Sequence, residues 1–297
     1  MADTILNLIG NTPLIKATSL ISNPNISLFL KLEGHNPGGS VKDRAAYNMI
    51  KSALDRGEID STSNLIEATS GNTGIALAMI AGIFKLSIEL VMPENATKER
   101  VQTMRAYGAK VTLTSKDIGI EGARDYAESK VKNEGYIMLN QFGNDDNWKS
   151  HYKTTGPEIW RDTDGTVTHF VSSMGTTGTI MGTSTFLKEQ SKDVQIVGVQ
   201  PTDNSSIPGI RKWPKEYLPK IFNPKKVDQV IEVSEKEAGE MARRLAKEEG
   251  VFSGMSSGGA VTAALKLANT LDRGVIVAII CDRGDRYLSS DLFASDS

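Results

Sequence analysis

Runs rich in β-branched residues alternate with helical stretches along nearly the whole chain, and this alternation limits the fold to parallel βαβ units. Strands are expected at 28–32, 65–69, 87–92, 111–113, 136–139, 169–172, 195–200, 228–233 and 275–280. Helices are expected from Val41 onward with Ser40 as N-cap, from Ile75, over 97–107 with Thr97 as cap, and over 120–132, 180–188 and 235–248. A last helix ends at Ala268. The class is α/β with mostly parallel sheets. Only the stretch 201–224, punctuated by prolines, breaks the pattern, and an irregular segment of that length in a compact protein reads as a functional loop.

Three of the strand-to-helix loops share one design of glycine and hydroxyl residues, beginning at Ser70, Gly175 and Gly254. In open parallel sheets such loops lie at the carboxyl ends of the strands, where ligands bind. Glycine opens the backbone amides to a ligand, and the helix start behind them favours an anion. Gly175-Thr176-Thr177-Gly178-Thr179 is the best phosphate cradle of the three. It lacks the glycine-lysine-serine/threonine of a Walker loop and the spacing of a dinucleotide fingerprint, and a plain βα turn explains it as well.

Lys42 follows the loop Asn36-Pro37-Gly38-Gly39-Ser40 and falls in the first turn of its helix. The positive end of a helix dipole is a poor place for a cation and a good one for an amine nucleophile. A solvated surface lysine is the plain alternative. Paired with a phosphate cradle, however, a nucleophilic lysine is what pyridoxal 5′-phosphate needs. No aspartate stands in a loop suited to face the pyridine nitrogen, whereas the third loop supplies hydroxyls.

Composition removes other classes. The net charge of −2 argues against an extended nucleic-acid surface or a polybasic membrane patch. Cys281 is the only cysteine, so neither an intramolecular disulfide nor a cysteine-rich metal site can form. His35, His151 and His169 show no ligand spacing, and no metal is expected. The start lacks a basic segment followed by an apolar core, and the longest apolar run, 274–281, is too short to span a bilayer. A cytoplasmic setting, with no membrane partner, is the default expectation.

Asn11-Thr12-Pro13-Leu14, Asn36 through Arg44, Thr69 through Gly74, Gly175 through Thr179 and Ser256-Ser257-Gly258 together resemble the motif set of the cysteine synthases. These O-acetylserine sulfhydrylases are fold type II pyridoxal-phosphate enzymes of the tryptophan-synthase-β family. The likeness runs in register from Ile9 to Leu288. Pro208 through Pro214 and Cys281 through Leu288 further resemble the B-type isozyme.

The resemblance implies that Lys42 bears the cofactor and serves as general base, and that Asn72 bonds the cofactor's 3′ oxygen. Gly175, Thr176, Thr177, Gly178 and Thr179 would take the phosphate, and Ser256 would face the pyridine nitrogen with Cys281 close to the ring. Thr69, Ser70, Thr73 and Gln141 would receive the substrate carboxylate. From the residues alone, Asn72, Thr73 and Ser256 read equally as helix caps, and Gln141 as a solvated turn residue. The family often carries glycine where Thr177 stands. Arg211 and Lys212 would admit an anionic sulfur donor such as thiosulfate, and a solvated basic pair explains them as well. The implied architecture is two three-layer domains. A smaller, mobile one spans 36–144 with residues 1–12, and a larger, cofactor-anchoring one spans 13–35 and 145–297. The implied reaction forms L-cysteine or S-sulfocysteine from O-acetyl-L-serine and sulfide or thiosulfate, in a homodimer. The nearest alternatives are a cystathionine β-synthase-like or serine/threonine dehydratase-like enzyme of the same fold and, from another class, a non-catalytic nucleotide-binding module.

Overall fold

The last strand among the described residues lies inside the larger sheet, third of its six strands. In the computed structural model, which describes residues 3–294, nine strands and nine α-helices follow one another along the described chain. They are β1 (Leu14–Lys16), β2 (Ile26–Leu32), α1 (Lys42–Asp55), β3 (Asn64–Ala68), α2 (Asn72–Ile83), β4 (Ser87–Pro93), α3 (Lys98–Ala106), β5 (Lys110–Thr114) and α4 (Gly119–Glu134). The second half continues with α5 (Asp145–Lys153), α6 (Thr155–Asp162), β6 (His169–Ser173), α7 (Gly178–Gln190), β7 (Gln195–Pro201), β8 (Gln229–Val233), α8 (Glu235–Glu249), α9 (Met255–Ala268) and β9 (Gly274–Ile280).

Six strands form one sheet in the order β1-β2-β9-β6-β7-β8, parallel except for the β1–β2 pair. Ala278 stands between Leu30 of β2 and Val171 of β6. A strand buried on both faces needs an unbroken apolar run, and Val-Ile-Val-Ala-Ile-Ile supplies it. Its side chains divide by pleat. Ile276, Ala278 and Ile280 pack with Val261, Ala264 and Leu267 of α9, while Val277 and Ile279 pack with Ile180 and Leu187 of α7. Each fully buried isoleucine or valine contributes ~1.5–3 kcal/mol.

Three parallel strands, β3-β4-β5, make the second sheet. Helices α1, α2 and α3 cover one face and α4 the other, where Ala123 and Ala127 meet Ile66 and Val91. Helix α2 is buried continuously from Thr73 to Ala81, so it needs apolar or small residues all round rather than a stripe. Among the described residues no helix is long and apolar enough to cross a membrane.

Several local expectations need correction. Residues 136–139 are not a strand: only Ile137 pairs, as an isolated bridge to Leu65. Thr97 holds the cap position of α3, but its buried hydroxyl bonds nothing. β1, α5 and α6 carry no expectation in the sequence. Helix α5 buries Asp146, Asn147, Ser150 and His151, so its inward face is polar and leaves no hydrophobic period to read.

Candidate active site

Lys42 is positioned by the end of β9. The Val41 amide donates to the Cys281 carbonyl at 2.8 Å, and Ser40 pairs with Asp282 as an antiparallel bridge. Gly39 turns the loop with φ +82°, and a Cβ there would lie 2.6 Å from the Arg286 guanidinium. Helix α1 begins at Lys42, not Val41, and Val41 occupies the cap position. Ser40 still contributes, since its Oγ accepts from the Lys42 amide at 3.2 Å. Burial holds the Lys42 ammonium below the ordinary lysine range, against the charges of Cys281 and Asp282, which act to raise it.

Beneath Lys42 lies a charge network removed from water. Arg44 donates to Glu33 at 2.7 and 2.8 Å and to Glu158 at 2.6 and 2.8 Å. Lys31 meets Glu158 at 2.8 Å and donates to the Thr12 carbonyl at 2.7 Å. Burial acts to raise the Glu158 pKa, but hydrogen bonds and charge from Arg44 and Lys31 outweigh it and bring it down to about 2. This network ties β2, α1 and α6 into one block. It explains why Asn11 and Thr12 belong to the motif set: the Asn11 amide donates to Glu158 at 2.9 Å, and the Thr12 hydroxyl donates to Glu33 at 2.6 Å.

Asp282 joins three further pieces. Its carboxylate accepts from Asn72 Nδ2 at 2.8 Å, the Tyr287 hydroxyl at 2.7 Å and the Gly254 amide at 3.2 Å. Arg286 donates to Asn72 Oδ1 and to the Gly38 carbonyl. The Asn72 amide is therefore oriented from both ends. Asn72 and Thr73 do not cap their helix; they form its first turn behind Gly71. Ser256 likewise lies inside the first turn of α9, with Gly254 at the cap position.

The remaining predicted residues are strung together by hydrogen bonds. Thr73 Oγ1 donates to Gln141 Oε1 at 2.8 Å, and Gln141 is buried rather than solvated. Asn147 Nδ2 donates to the Gln141 carbonyl at 2.7 Å and to Thr176 Oγ1 at 3.2 Å, which links the Thr69–Thr73 loop to the Gly175–Thr179 loop. Thr69 is buried and Ser70 half-buried at the start of α2. Ser173 Oγ donates to the Ser256 carbonyl at 2.7 Å, and the Cys281 amide donates to Ser257 Oγ at 2.9 Å. Burial pushes the Cys281 thiol up to about 11, so it stays protonated at neutral pH.

The glycines of the second loop serve the protein as well as any ligand. A Cβ on Gly175 would meet the Gly209 carbonyl at 2.7 Å, and one on Gly178 would collide with Asn147. Thr177 adopts φ +70°, a left-handed conformation that a β-branched residue rarely takes and that concentrates at functional sites. Trp213 Nε1 donates to the Gly175 carbonyl at 2.8 Å, and the Arg211 amide donates to the Met174 carbonyl at 2.8 Å, which lays the irregular segment over this loop. The Arg211 side chain is exposed. Lys212 points elsewhere, held at 2.7 Å by both Asp203 and Glu232.

Asn147, Asp282, Arg286 and Trp213 are the parts that residue-by-residue reasoning did not assign. Asp282 and Arg286 stand in a segment already singled out; Asn147 lies on a polar helix that gives no signal.

The residues fit a pyridoxal phosphate group. Thr177 Oγ1 is buried without a hydrogen-bond partner, in a loop that opens helix α7, where an anion is favoured. Nothing stands within 4 Å of the position a Cβ would take on Gly71, so the backbone there is open to a ligand. The family model for pyridoxal-phosphate dependent enzymes matches residues 5–282. The chain belongs to that family. Within it, the chain is 57% identical to cysteine synthase B of Pseudomonas aeruginosa over 291 residues, covering 98% of this chain and 97% of the relative. The crystal structure of a cysteine synthase from Entamoeba histolytica superposes with a TM-score of 0.94 at 36% identity, over 99% of this chain and 91% of that one. An O-acetylserine dependent cystathionine β-synthase from Helicobacter pylori superposes with a TM-score of 0.88 at 37% identity, over 99% of both chains.

Proposed function

We propose that the protein catalyses β-replacement on O-acetyl-L-serine, forming L-cysteine with sulfide and releasing acetate. The observation that carries the reading is Lys42: an amine held below its ordinary pKa by burial and seated by the end of β9, in a chain whose second loop holds an unpartnered buried hydroxyl, Thr177 Oγ1. Full-length likeness to cysteine synthase B supports the choice of substrates. When bound, pyridoxal phosphate supplies an electron sink that loosens the α-proton and the β-substituent of an amino acid. Lys42 carries the cofactor and, once free, takes the α-proton at Nζ. Gly175 through Thr179 would hold the phosphate with hydroxyls and helix-start amides. Thr69, Ser70 and Thr73, with Gln141 fixed by Thr73, receive the substrate carboxylate at the start of α2. Asn72, oriented by Asp282 and Arg286, faces the cofactor's ring oxygen. Ser256, in the first turn of α9, would offer the cofactor's ring nitrogen a hydroxyl rather than a carboxylate. Cys281 would stand near the ring as a neutral thiol.

Residues 36–144 with 1–12 act as the smaller, closing unit, and 13–35 with 145–297 as the anchoring one; residues 1–2 and 295–297 lie outside the described part. The working form is a homodimer in the cytoplasm. Arg211, exposed above the phosphate loop, admits thiosulfate and so extends the product range to S-sulfocysteine.

Steady-state rates with O-acetylserine and either sulfide, thiosulfate or homocysteine test the reading. Sulfide should be the efficient acceptor and homocysteine a poor one; the reverse order would assign the protein to the cystathionine-forming branch instead. Arg211→Ala should depress turnover with thiosulfate more than with sulfide. Equal, unchanged kinetics with both would remove Arg211 from the site.

A further inference from the structure

Among the buried carboxyl groups, Glu67 on β3 is the exception. Glu33 and Glu158 face Arg44, Glu89 faces Lys110 at 2.9 Å, and Asp146 faces Arg56 at 2.8 Å. Asp43 and Asp282 accept from the Gly38 amide and from Asn72. Glu67 is 4% exposed, its Oε2 is buried with no hydrogen-bond partner, and among the described residues no cation pairs with it. A buried charge in that setting is costly, and a carboxyl group avoids it by keeping its proton. Burial accordingly pushes the Glu67 pKa up to about 7, against the Asn140 amide and the charge of Arg124 on α4, which act to lower it. The other neighbours on its side of the sheet are apolar. Leu90 is its partner on β4, and the face it shares with Leu65 is covered by Met49 of α1, Leu77 of α2, Met104 of α3 and Leu139.

The position of Glu67 gives that proton a use. The Thr69 amide donates to the Val91 carbonyl of β4 at 3.0 Å, so the pleat of β3 continues past Ala68. Side chains two apart stand on one face of a strand, with Cα atoms roughly 6.6 Å apart, and Glu67 therefore stands beside Thr69. On its other side the chain turns at Asn140, which holds a left-handed φ of +54°, and the next residue is the Gln141 that accepts from Thr73. We infer that Glu67, as an uncharged acid, is a positioning residue for the site that receives the substrate carboxylate: it backs Thr69 and the Asn140–Gln141 turn, and ionising it weakens the hold on the anion. The inference deepens the proposed reaction and rests on its placement of the carboxylate site at the start of α2. The coupling is reciprocal. A carboxylate arriving beside Glu67 favours the protonated form further, so above neutral pH binding takes up a proton.

Titration of the cofactor-loaded protein with L-serine, followed by the cofactor's absorbance between pH ~6 and ~8.5, tests this in the unsubstituted protein and in Glu67→Gln. The amine of L-serine titrates alike in both, so the ratio of the two dissociation constants isolates position 67. Over that range the unsubstituted protein should lose at least about threefold in affinity relative to the variant, because only it acquires a charge beside the bound anion. Glu67→Leu fills the space without a titrating group; it should show the same relative gain and replaces Glu67→Gln should that variant fail to take up cofactor. A ratio that stays constant across the pH range would overturn the inference and leave Glu67 a structural residue only. A ratio that moves in the opposite direction would overturn it as well. Turnover of O-acetylserine with sulfide is measured on the same samples. Its absence in the unsubstituted protein counts against the proposed reaction, whereas the L-serine ratio decides the role of Glu67 by itself.

Discussion

Glu158→Gln should cost this protein several kcal/mol although position 158 bonds no catalytic atom. The carboxylate takes two hydrogen bonds from Arg44, one from the Asn11 amide and an ion pair from Lys31, and it is 5% exposed. Glutamine keeps one acceptor and turns an amide donor toward two buried cations. The depression of the Glu158 pKa from 4.5 to about 2 corresponds to roughly 3 kcal/mol of stability at neutral pH. Breaking a buried ion pair from one side costs about 3–5 kcal/mol, so the two routes agree. At roughly 2–4 °C per kcal/mol for a chain of this order of size, the melting temperature falls by about 6–12 °C. The pH dependence is specific. A carboxylate whose folded pKa is depressed contributes in full above its unfolded value and loses that contribution as pH falls toward the folded one. The gap between the two proteins should therefore be widest above pH ~5 and narrow steadily between pH ~4.5 and ~2. Thermal scans of the cofactor-loaded proteins at pH 7, 5, 4 and 3.5 measure it. A gap under about 3 °C at pH 7, or one that stays constant down to pH 3.5, would refute the network's role.

Two further outcomes follow from the site. Asp282→Asn removes a negative charge that acts to raise the Lys42 pKa, so in cofactor-free protein the midpoint for acylation of Lys42, already below the ordinary lysine value, should move lower still; an upward shift contradicts the assignment. Gly178→Ala places a methyl against Asn147 and displaces its bonds to Gln141 and Thr176. Cofactor affinity should drop at least about tenfold, read by fluorescence titration, and unchanged affinity would show that the loop tolerates the shift.

How much of this was legible in the sequence depended on what each element buries. Strands such as β9 and helices such as α9 bury apolar faces; the limits of β9 and the end of α9 lay within a residue of the expectation, whereas α9 starts at Met255, inside the stretch expected to be loop, because its first turn is built of buried serines and glycines. Helix α5 was invisible because the residues it buries are Asp146, Asn147, Ser150 and His151, which read as surface. His151 shows why the polar face is inward: it is held by Thr155 at 2.8 Å and lies 3.4 Å from Thr179 of the second loop. Burial drives its pKa down to about 3, so it is a neutral support rather than a charge. The site fared in the same way. Lys42 and the three loops stood out by composition and by resemblance, whereas the contacts orienting them, Asp282 to Asn72 and Asn147 to Thr176, span 210 and 29 residues and leave no local trace. The expectation that the loop glycines exist for a ligand was incomplete for the same reason, since their nearest neighbours at Gly175 and Gly178 are protein atoms brought from elsewhere.

The central place of β9 has a consequence for how the molecule is made. Translation delivers β2 first and β6 more than a hundred residues later, yet the two are never neighbours; the strand that joins them comes last of the nine. Until it emerges, a growing chain carries two half-sheets, each with an open edge able to pair with the wrong partner. Cys281 and Asp282, which seat Lys42 and Asn72, arrive in the same final stretch. Cofactor capture can therefore report the emergence of β9: a ribosome-bound chain halted before residue 274 should hold no pyridoxal phosphate, however well its three-stranded sheet has already folded.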